Sequence, residues 1–262
     1  MLFSFVIPTY NRALKVSRAI DSILSQPEWA LTSEIVVVDD GSTDDTETIL
    51  RKYISNDQLR LIKHPANRGV ASAKNTGILN AKHEYVVLLD SDDLLEVDGL
   101  KYLSKLVLNN RYDVVFCGTK VLNNNALMYN PAFWGIKSYT DMLINPVGEY
   151  LPVCKTQLMQ KNLLRNLRGY ESITWLSLAK AGCKIYFDRE PLVLVDDQGD
   201  DRISVRLSGM KNSAQMAEGY ALYLKEFGGD LKRLNYMLYL KISFKMLCYS
   251  LMRFYFVKKN QS

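Results

Sequence analysis

The 262-residue chain is 48% hydrophobic and 23% charged, an ordinary globular balance that excludes whole-chain disorder and leaves ample material for a large core. Its formal charge of +5 is uneven: residues 229–262 hold seven Lys or Arg against one acid, so the rest is close to neutral. That asymmetry excludes a nucleic-acid groove running across the protein and leaves one basic appendage.

In chain order, MLFSFVIPTY is apolar for only a few residues and lacks a basic start. It reads as a first strand, FSFVIP, rather than a secretory signal. ALKVSRAIDSILSQ places Leu14, Val16, Ile20, Ile23 and Leu24 at helical spacing. EIVVVDD is a continuous apolar run, as in a strand buried on both faces of a parallel sheet. TDDTETILRKYI follows as a helix with acids in its first turn, where the macrodipole favours them. LRLIKH is a short strand, GVASAKNTGILNA a small-residue helix and EYVVLLD another buried strand. This alternation predicts a parallel, doubly wound sheet, whose ligands bind beyond the carboxyl ends of the strands. The polar clusters at 8–12, 39–44 and 90–93 fall at such ends.

Beyond about residue 110 the pattern loosens. YDVVFCGTKVL reads as a strand, and NNNALMYNPAFWGIKSYTD as an irregular substrate-facing segment. ITWLSLAKAG is a helix, followed by strand-like KIYF and LVLV. From 231 to 257 a helix carries Met237, Leu240, Phe244, Leu247, Cys248, Leu251 and Tyr255 in one stripe, with Lys241, Lys245 and Arg253 opposite. Such a helix either packs on the domain or lies at a membrane interface with its cations on anionic lipid. No apolar run approaches the roughly 18 residues of a membrane span. The four scattered cysteines form no ligand pair and read as free thiols in a reducing cytosol.

The chemistry concentrates at the strand ends. Asp90 and Asp92 are one residue apart, so both can face one cleft. Mn²⁺ or Mg²⁺ takes carboxylate oxygens together with substrate phosphates. The alternative is an acidic cap on the helix predicted over LLEVDGLKYLSKL, a role that suits Asp93. Asp39 and Asp40 either sit in a solvated turn in which Ser42 or Thr43 caps the following helix, or accept hydrogen bonds from a nucleobase imide or ribose hydroxyl. Asp44 and Asp45 suit the helix start. Pro8 ends the first strand and Tyr10 offers an aromatic face. Asn67 and Gly69 open a helix with Lys74 and Asn75 a turn later, suited to a diphosphate or base. His64 and His83 have no ligand-spaced partner and read as surface residues. Phe133 and Trp134 either stack on an acceptor sugar or fill the core.

Taken in order, P-T-Y-N, V-V-D-D-G-S-x-D, N-x-G-x-x-x-A-K-N and L-D-S-D-D resemble the family 2 glycosyltransferases, inverting nucleotide-sugar enzymes of the GT-A fold. The resemblance covers residues 3 to about 110 closely and 150 to 205 more loosely. It implies a Rossmann-like, mostly parallel α/β sheet flanked by helices, with a C-terminal helical tail. It places Asp40 on uracil, with Tyr10 and the backbone of Pro8 lining the base, Asp90 near the ribose, and Asp92 on the metal bridging the diphosphate. Lys74 stands where the family commonly has arginine, keeping the charge but losing the bidentate fork. The nucleotide-sugar set is then Pro8, Tyr10, Arg12, Asp40, Asn67, Lys74, Asp90, Ser91 and Arg202, the last in a loop, VDDQGDDRIS, where Asp196 or Asp197 could orient it.

An inverting displacement needs a carboxylate base, which the family places in a Glu-Asp pair opening a helix. Counting back from WLSLAKAG puts that pair on Tyr170 and Glu171, making Glu171 the base; counting from the glutamate puts Ser172 there and loses it. The first register needs no gap. The expected organisation is a nucleotide-sugar half (1–110), an acceptor half of the same domain (111–228) and a basic tail (229–262). The expected partners are a nucleotide-sugar donor and a saccharide or lipid-linked saccharide acceptor, without nucleic acid. The expected setting is cytoplasmic, with peripheral contact at the inner face of the membrane through the tail. A binder without transfer activity and a nucleotidyltransferase are the alternatives.

Overall fold

The computed structural model describes residues 2–27, 29, 33–54, 59–109, 112–145, 148–167, 169–196 and 212–259. Its first part alternates as expected: β1 (Phe3–Thr9), α1 (Ala13–Leu24), β2 (Ser33–Asp39), α2 (Thr46–Leu50), β3 (Leu59–Lys63), α3 (Val70–Asn80) and β4 (Tyr85–Leu88). Then come β5 (Asp93–Leu95), α4 (Gly99–Asn109), β6 (Val114–Val121), β7 (Gly135–Lys137), α5 (Tyr139–Ile144), β8 (Tyr150–Lys155) and α6 (Thr156–Lys161). The chain continues through α7 (Glu171–Lys180), β9 (Ile185–Val195), α8 (Ser213–Leu234) and α9 (Tyr236–Lys259).

The described strands form one mixed sheet in the order β3-β2-β1-β4-β8-β6-β9-β5, with β7 paired to β9. The β1/β2, β1/β4, β2/β3 and β6/β9 pairs are parallel; β8, β5 and β7 run antiparallel to their neighbours. Because side chains alternate across a sheet, each central strand feeds two cores. Val6, Val36, Val38 and Val86 pack with α3, α7 and α8 on one face; Phe5, Ile7, Ile35 and Val37 pack with α1 and α4 on the other. That double burial is why β1 and β2 read as unbroken apolar runs. Helix α3 lies close to the sheet because it is built of small residues: a Cβ on Gly77 would stand 2.2 Å from Val6 Cγ1.

Four expectations are corrected. Asp93 caps no helix: it opens β5, whose pairing with Val193–Val195 leaves α4 to start only at Gly99. KIYF and LVLV fall in one strand, β9, whose pairing with β6 carries a register irregularity where Pro191 meets Gly118. The irregular segment before α5 contains the short strand β7. The tail helix starts at Tyr236, after a break at Asn235, and Leu231 belongs to α8, which buries Phe227 and Leu231 in the core. The boundary at 229 therefore falls inside a continuous helix.

Candidate active site

The site grows from three strand ends. At the first, Asn11 adopts φ 50° and its amide oxygen accepts from Thr43 N at 2.8 Å, while its own N–H donates to Ser42 Oγ at 2.9 Å. The PTYN and DDGST loops are thus stitched together, and Tyr10 is left at the mouth, 41% exposed. Gly41 has φ +79°, and a Cβ there would meet the Ala66 backbone at 2.7 Å, so both conformation and space demand glycine. Asp39 is buried and accepts from Ser42 N at 2.9 Å, shaping the strand end. Asp44 accepts from Thr46 N at 3.0 Å at the start of α2. Burial works against the Asp44 charge, but the Thr46 hydroxyl and neighbouring N–H groups hold its carboxyl below the usual range.

Asp40, at 3% exposure, accepts from Arg68 N at 3.0 Å, Gly69 N at 2.7 Å and His64 Nδ1 at 2.6 Å. His64 is therefore not a surface residue: it is buried, with Nε2 2.9 Å from Thr76 Oγ1. With Asp40 ionised, the network closes when Nδ1–H donates to Asp40 and Nε2 accepts from the Thr76 hydroxyl. The Asp40 carboxylate thus stands at the N-terminus of α3, where the helix dipole favours an anion. Asn67 Oδ1 also accepts from Gly69 N, at 3.1 Å. Asn75 is turned away from any ligand role; its amide forms a pair of hydrogen bonds with the backbone of Leu164, at 2.8 and 2.9 Å.

At the centre, α3 brings Lys74, the end of β4 brings Asp90, and the first turn of α7 brings Glu171. Lys74 Nζ lies 2.8 Å from Asp90 Oδ1 and 2.8 Å from Glu171 Oε1. Burial disfavours the ammonium, but Asp90 and then Glu171 outweigh it and raise the lysine above its ordinary range. Asp92 pairs with Arg12 at 2.8 Å, yet burial, reinforced by Asp90, still pushes its carboxyl upward. Burial raises Asp93 well above the usual carboxylate range, with Asp90, Asp92 and Glu149 adding to it.

These groups line a cavity of about 1610 Å³ that also reaches Trp175 and Tyr223. Pro8, Tyr10, Arg12, Asn67, Asp40, Lys74, Asp90, Ser91, Asp92 and Glu171 all face it. Arg202 and Asp197 lie outside the described residues, and Asp196 instead approaches Lys15 and Arg18 of α1, at 3.8 and 3.7 Å. Phe133 and Trp134 do not line the cavity: Phe133 packs edge-on to Phe187, and Trp134 lies under the Arg189 guanidinium. Glu149 and Trp175 were not legible as site residues. Trp175 had one available signal, its position four residues after Glu171 on the same helix face; Glu149 had none.

Among the described residues no group of three or more His, Cys, Asp or Glu could by itself hold a metal ion. The donor set fits a Mg²⁺ or Mn²⁺ ion that shares one or two carboxylates with a diphosphate. The buried Asp90 Oδ1 supports that fit, since it has an ion pair with Lys74 but no aligned hydrogen bond.

Comparison with known proteins bears on the family and the fold. TuaG of Bacillus subtilis strain 168, a glycosyltransferase whose name places it provisionally in teichuronic acid biosynthesis, is 29% identical over 192 residues, 71% of this chain and 75% of that protein. The chain spans between 11% and 32% of the length of several other curated relatives. Among solved structures, S. aureus TarS with UDP-GlcNAc superposes with a TM-score of 0.69 at 21% identity, covering 86% of this chain and 67% of that one. Mannosyltransferase PcManGT from Pyrobaculum calidifontis, with GDP-Man and Mn²⁺, superposes at 0.66 and 21% identity, covering 95% and 73%. The shared architecture is the GT-A α/β fold. The model of Glycosyl transferase family 2 matches residues 4–168, more than half of the sequence, and the chain belongs to that family.

Proposed function

We propose that the chain transfers a sugar from a nucleoside-diphosphate donor, a UDP-sugar, to an acceptor hydroxyl with inversion. The observation that carries this reading is the shared cleft: Glu171 stands beside Asp90 and Asp92, joined to Asp90 through Lys74. Tyr10 and Pro8 would line the base, and Asp40 would add the base N–H to the donors it already accepts. Asp90 and Ser91 would take the ribose, and Arg12, Asn67 and Arg202 the phosphates or acceptor. A divalent ion at Asp92 would supply charge neutralisation for the departing diphosphate. Glu171 would accept the acceptor O–H proton as that oxygen bonds the anomeric carbon from the face opposite the nucleotide. The carbon–oxygen bond to the diphosphate breaks, and its electron pair leaves with the nucleoside diphosphate.

The relatives' names support a polysaccharide product. The exposed basic helix α9 supports a lipid-linked acceptor met at the inner face of a membrane. The decisive experiment incubates the chain with UDP-glucose, UDP-GlcNAc, UDP-glucuronate and GDP-mannose, with Mn²⁺ or Mg²⁺ and without. Release of nucleoside diphosphate is expected. Pyrophosphate would identify a nucleotidyltransferase, and binding without turnover a nucleotide-sugar binder.

A further inference from the structure

We infer that Lys74 is the positioning residue of the base, holding Glu171 across the cleft rather than binding the nucleotide. The inference rests on Glu171 being that base. Lys74 is 5% exposed; its ammonium donates a hydrogen bond to Glu171 and forms an ion pair with Asp90, each at 2.8 Å. Those two oxygens therefore stand within two hydrogen-bond lengths of each other, although they come from the end of β4 and the start of α7. The anchorage beneath them is rigid. Gly77 seats α3 directly on Val6, and Asn75, next to Lys74, clamps the Leu164 backbone in the segment that leads to Glu171.

The neighbouring geometry gives Lys74 a specific task. Glu171 is the first residue of α7, and the N-cap residue Tyr170 provides no side-chain cap. A carboxylate there is drawn toward its own helix's free N–H groups. The Lys74 ammonium competes with that pull and keeps the carboxylate facing Asp90. An arginine at this position keeps the charge and offers enough N–H donors for both carboxylates.

The test combines Lys74→Met, Lys74→Arg, Glu171→Gln and the charge-balanced double variant Lys74→Met/Glu171→Gln. UDP affinity is measured by calorimetry with and without Mn²⁺, and turnover on the nucleotide sugar of the panel that releases UDP. Lys74→Met is expected to lower kcat about 100-fold with UDP affinity held within about threefold, and Lys74→Arg to recover most of kcat. In the Glu171→Gln background, Lys74→Met should change neither turnover nor UDP affinity, because both act on one group. Loss of UDP affinity in the double variant would make Lys74 a nucleotide ligand and overturn the inference, and that measurement survives if the single Met variant fails to fold. Near-normal turnover of Glu171→Gln alone would instead remove the base assignment.

Discussion

Residue by residue, Asp39, Asp40 and Asp44 of VVVDDGSTDDT do different work: Asp39 accepts from Ser42 N, Asp40 from the start of α3 and Asp44 from the start of α2. Asp40 binds two backbone N–H groups and a buried imidazole, so its first duty is to shape the loop that starts α3. Asp40→Ala orphans those donors in a buried place and is expected to cost about 3 kcal/mol. Urea unfolding would show it as a lower midpoint with an unchanged slope; a loss below about 0.5 kcal/mol would contradict this reading. At the other side of the cleft, Glu171→Gln preserves shape and hydrogen-bonding reach but removes the carboxylate proposed to accept the proton. Turnover should fall by roughly 10²–10⁴-fold while UDP affinity stays, checked by initial rates and calorimetry on one preparation. Asp40 was legible as a candidate because a strand end is a local feature, whereas Glu171 became one only through the family resemblance and the register counted back from WLSLAKAG. The partners of Asp40 were not legible. His64 lies 24 positions away and carries no spacing signal, and only the folded β2–α3 junction brings it behind the carboxylate.

At the scale of elements, the segment before Glu171 is set by a helix distant in sequence. A Cβ on Gly219 of α8 would stand 2.1 Å from Tyr170 Cε2, and Tyr170 donates its hydroxyl to Met216 O at 3.0 Å. Gly219→Ala must displace the Tyr170 ring, which directly precedes Glu171. It should cost about 1–3 kcal/mol and lower kcat, read by thermal unfolding and turnover together; full activity would uncouple α8 from Glu171. The sequence conceals this helix, since Gly219, Gly228 and Gly229 argue against one and only packing overrides them. Strand β8 is hidden by Pro152, which disqualifies a central strand by rule. Its position is tolerated because the β4/β8 ladder ends at Val153, and beyond that Pro152 faces only Phe116 of β6. In β9 the run Asp188-Arg189-Glu190-Pro191 imitates a turn. It is instead a bulged stretch in which buried Asp188 accepts from the Tyr102 hydroxyl at 3.1 Å and from Glu190 N at 2.8 Å. By contrast β1, β2, α1 and β4 were legible, because burial on two faces or one stripe writes itself directly into apolar period.

For the whole molecule, α9 presents two different faces. Its inner face packs Leu238, Tyr239 and Ile242 against the core, and Tyr249 stacks on Tyr220 of α8 with ring centroids 5.8 Å apart. Its outer face exposes Met237, Leu240, Phe244, Leu247 and Leu251. No helix among the described residues is long and apolar enough to cross a membrane. The sequence of α9 contains no acid, so its cations would find no counter-charge on the same helix of a second copy, whereas an anionic surface would neutralise them. Burying an exposed Leu or Phe contributes about 1.5–3 kcal/mol, and each cation near an anionic bilayer about 1 kcal/mol. The full chain should therefore float with vesicles containing phosphatidylglycerol and much less with phosphatidylcholine alone, the difference shrinking in high salt. Phe244→Ser with Leu247→Ser should cut that binding at least about tenfold, since two apolar anchors are lost. The melting temperature should stay within about 3 °C, because both side chains are exposed. Equal flotation on the two lipids, or a concentration-dependent dimer in ultracentrifugation that the same double substitution dissolves, would assign the stripe to another chain instead.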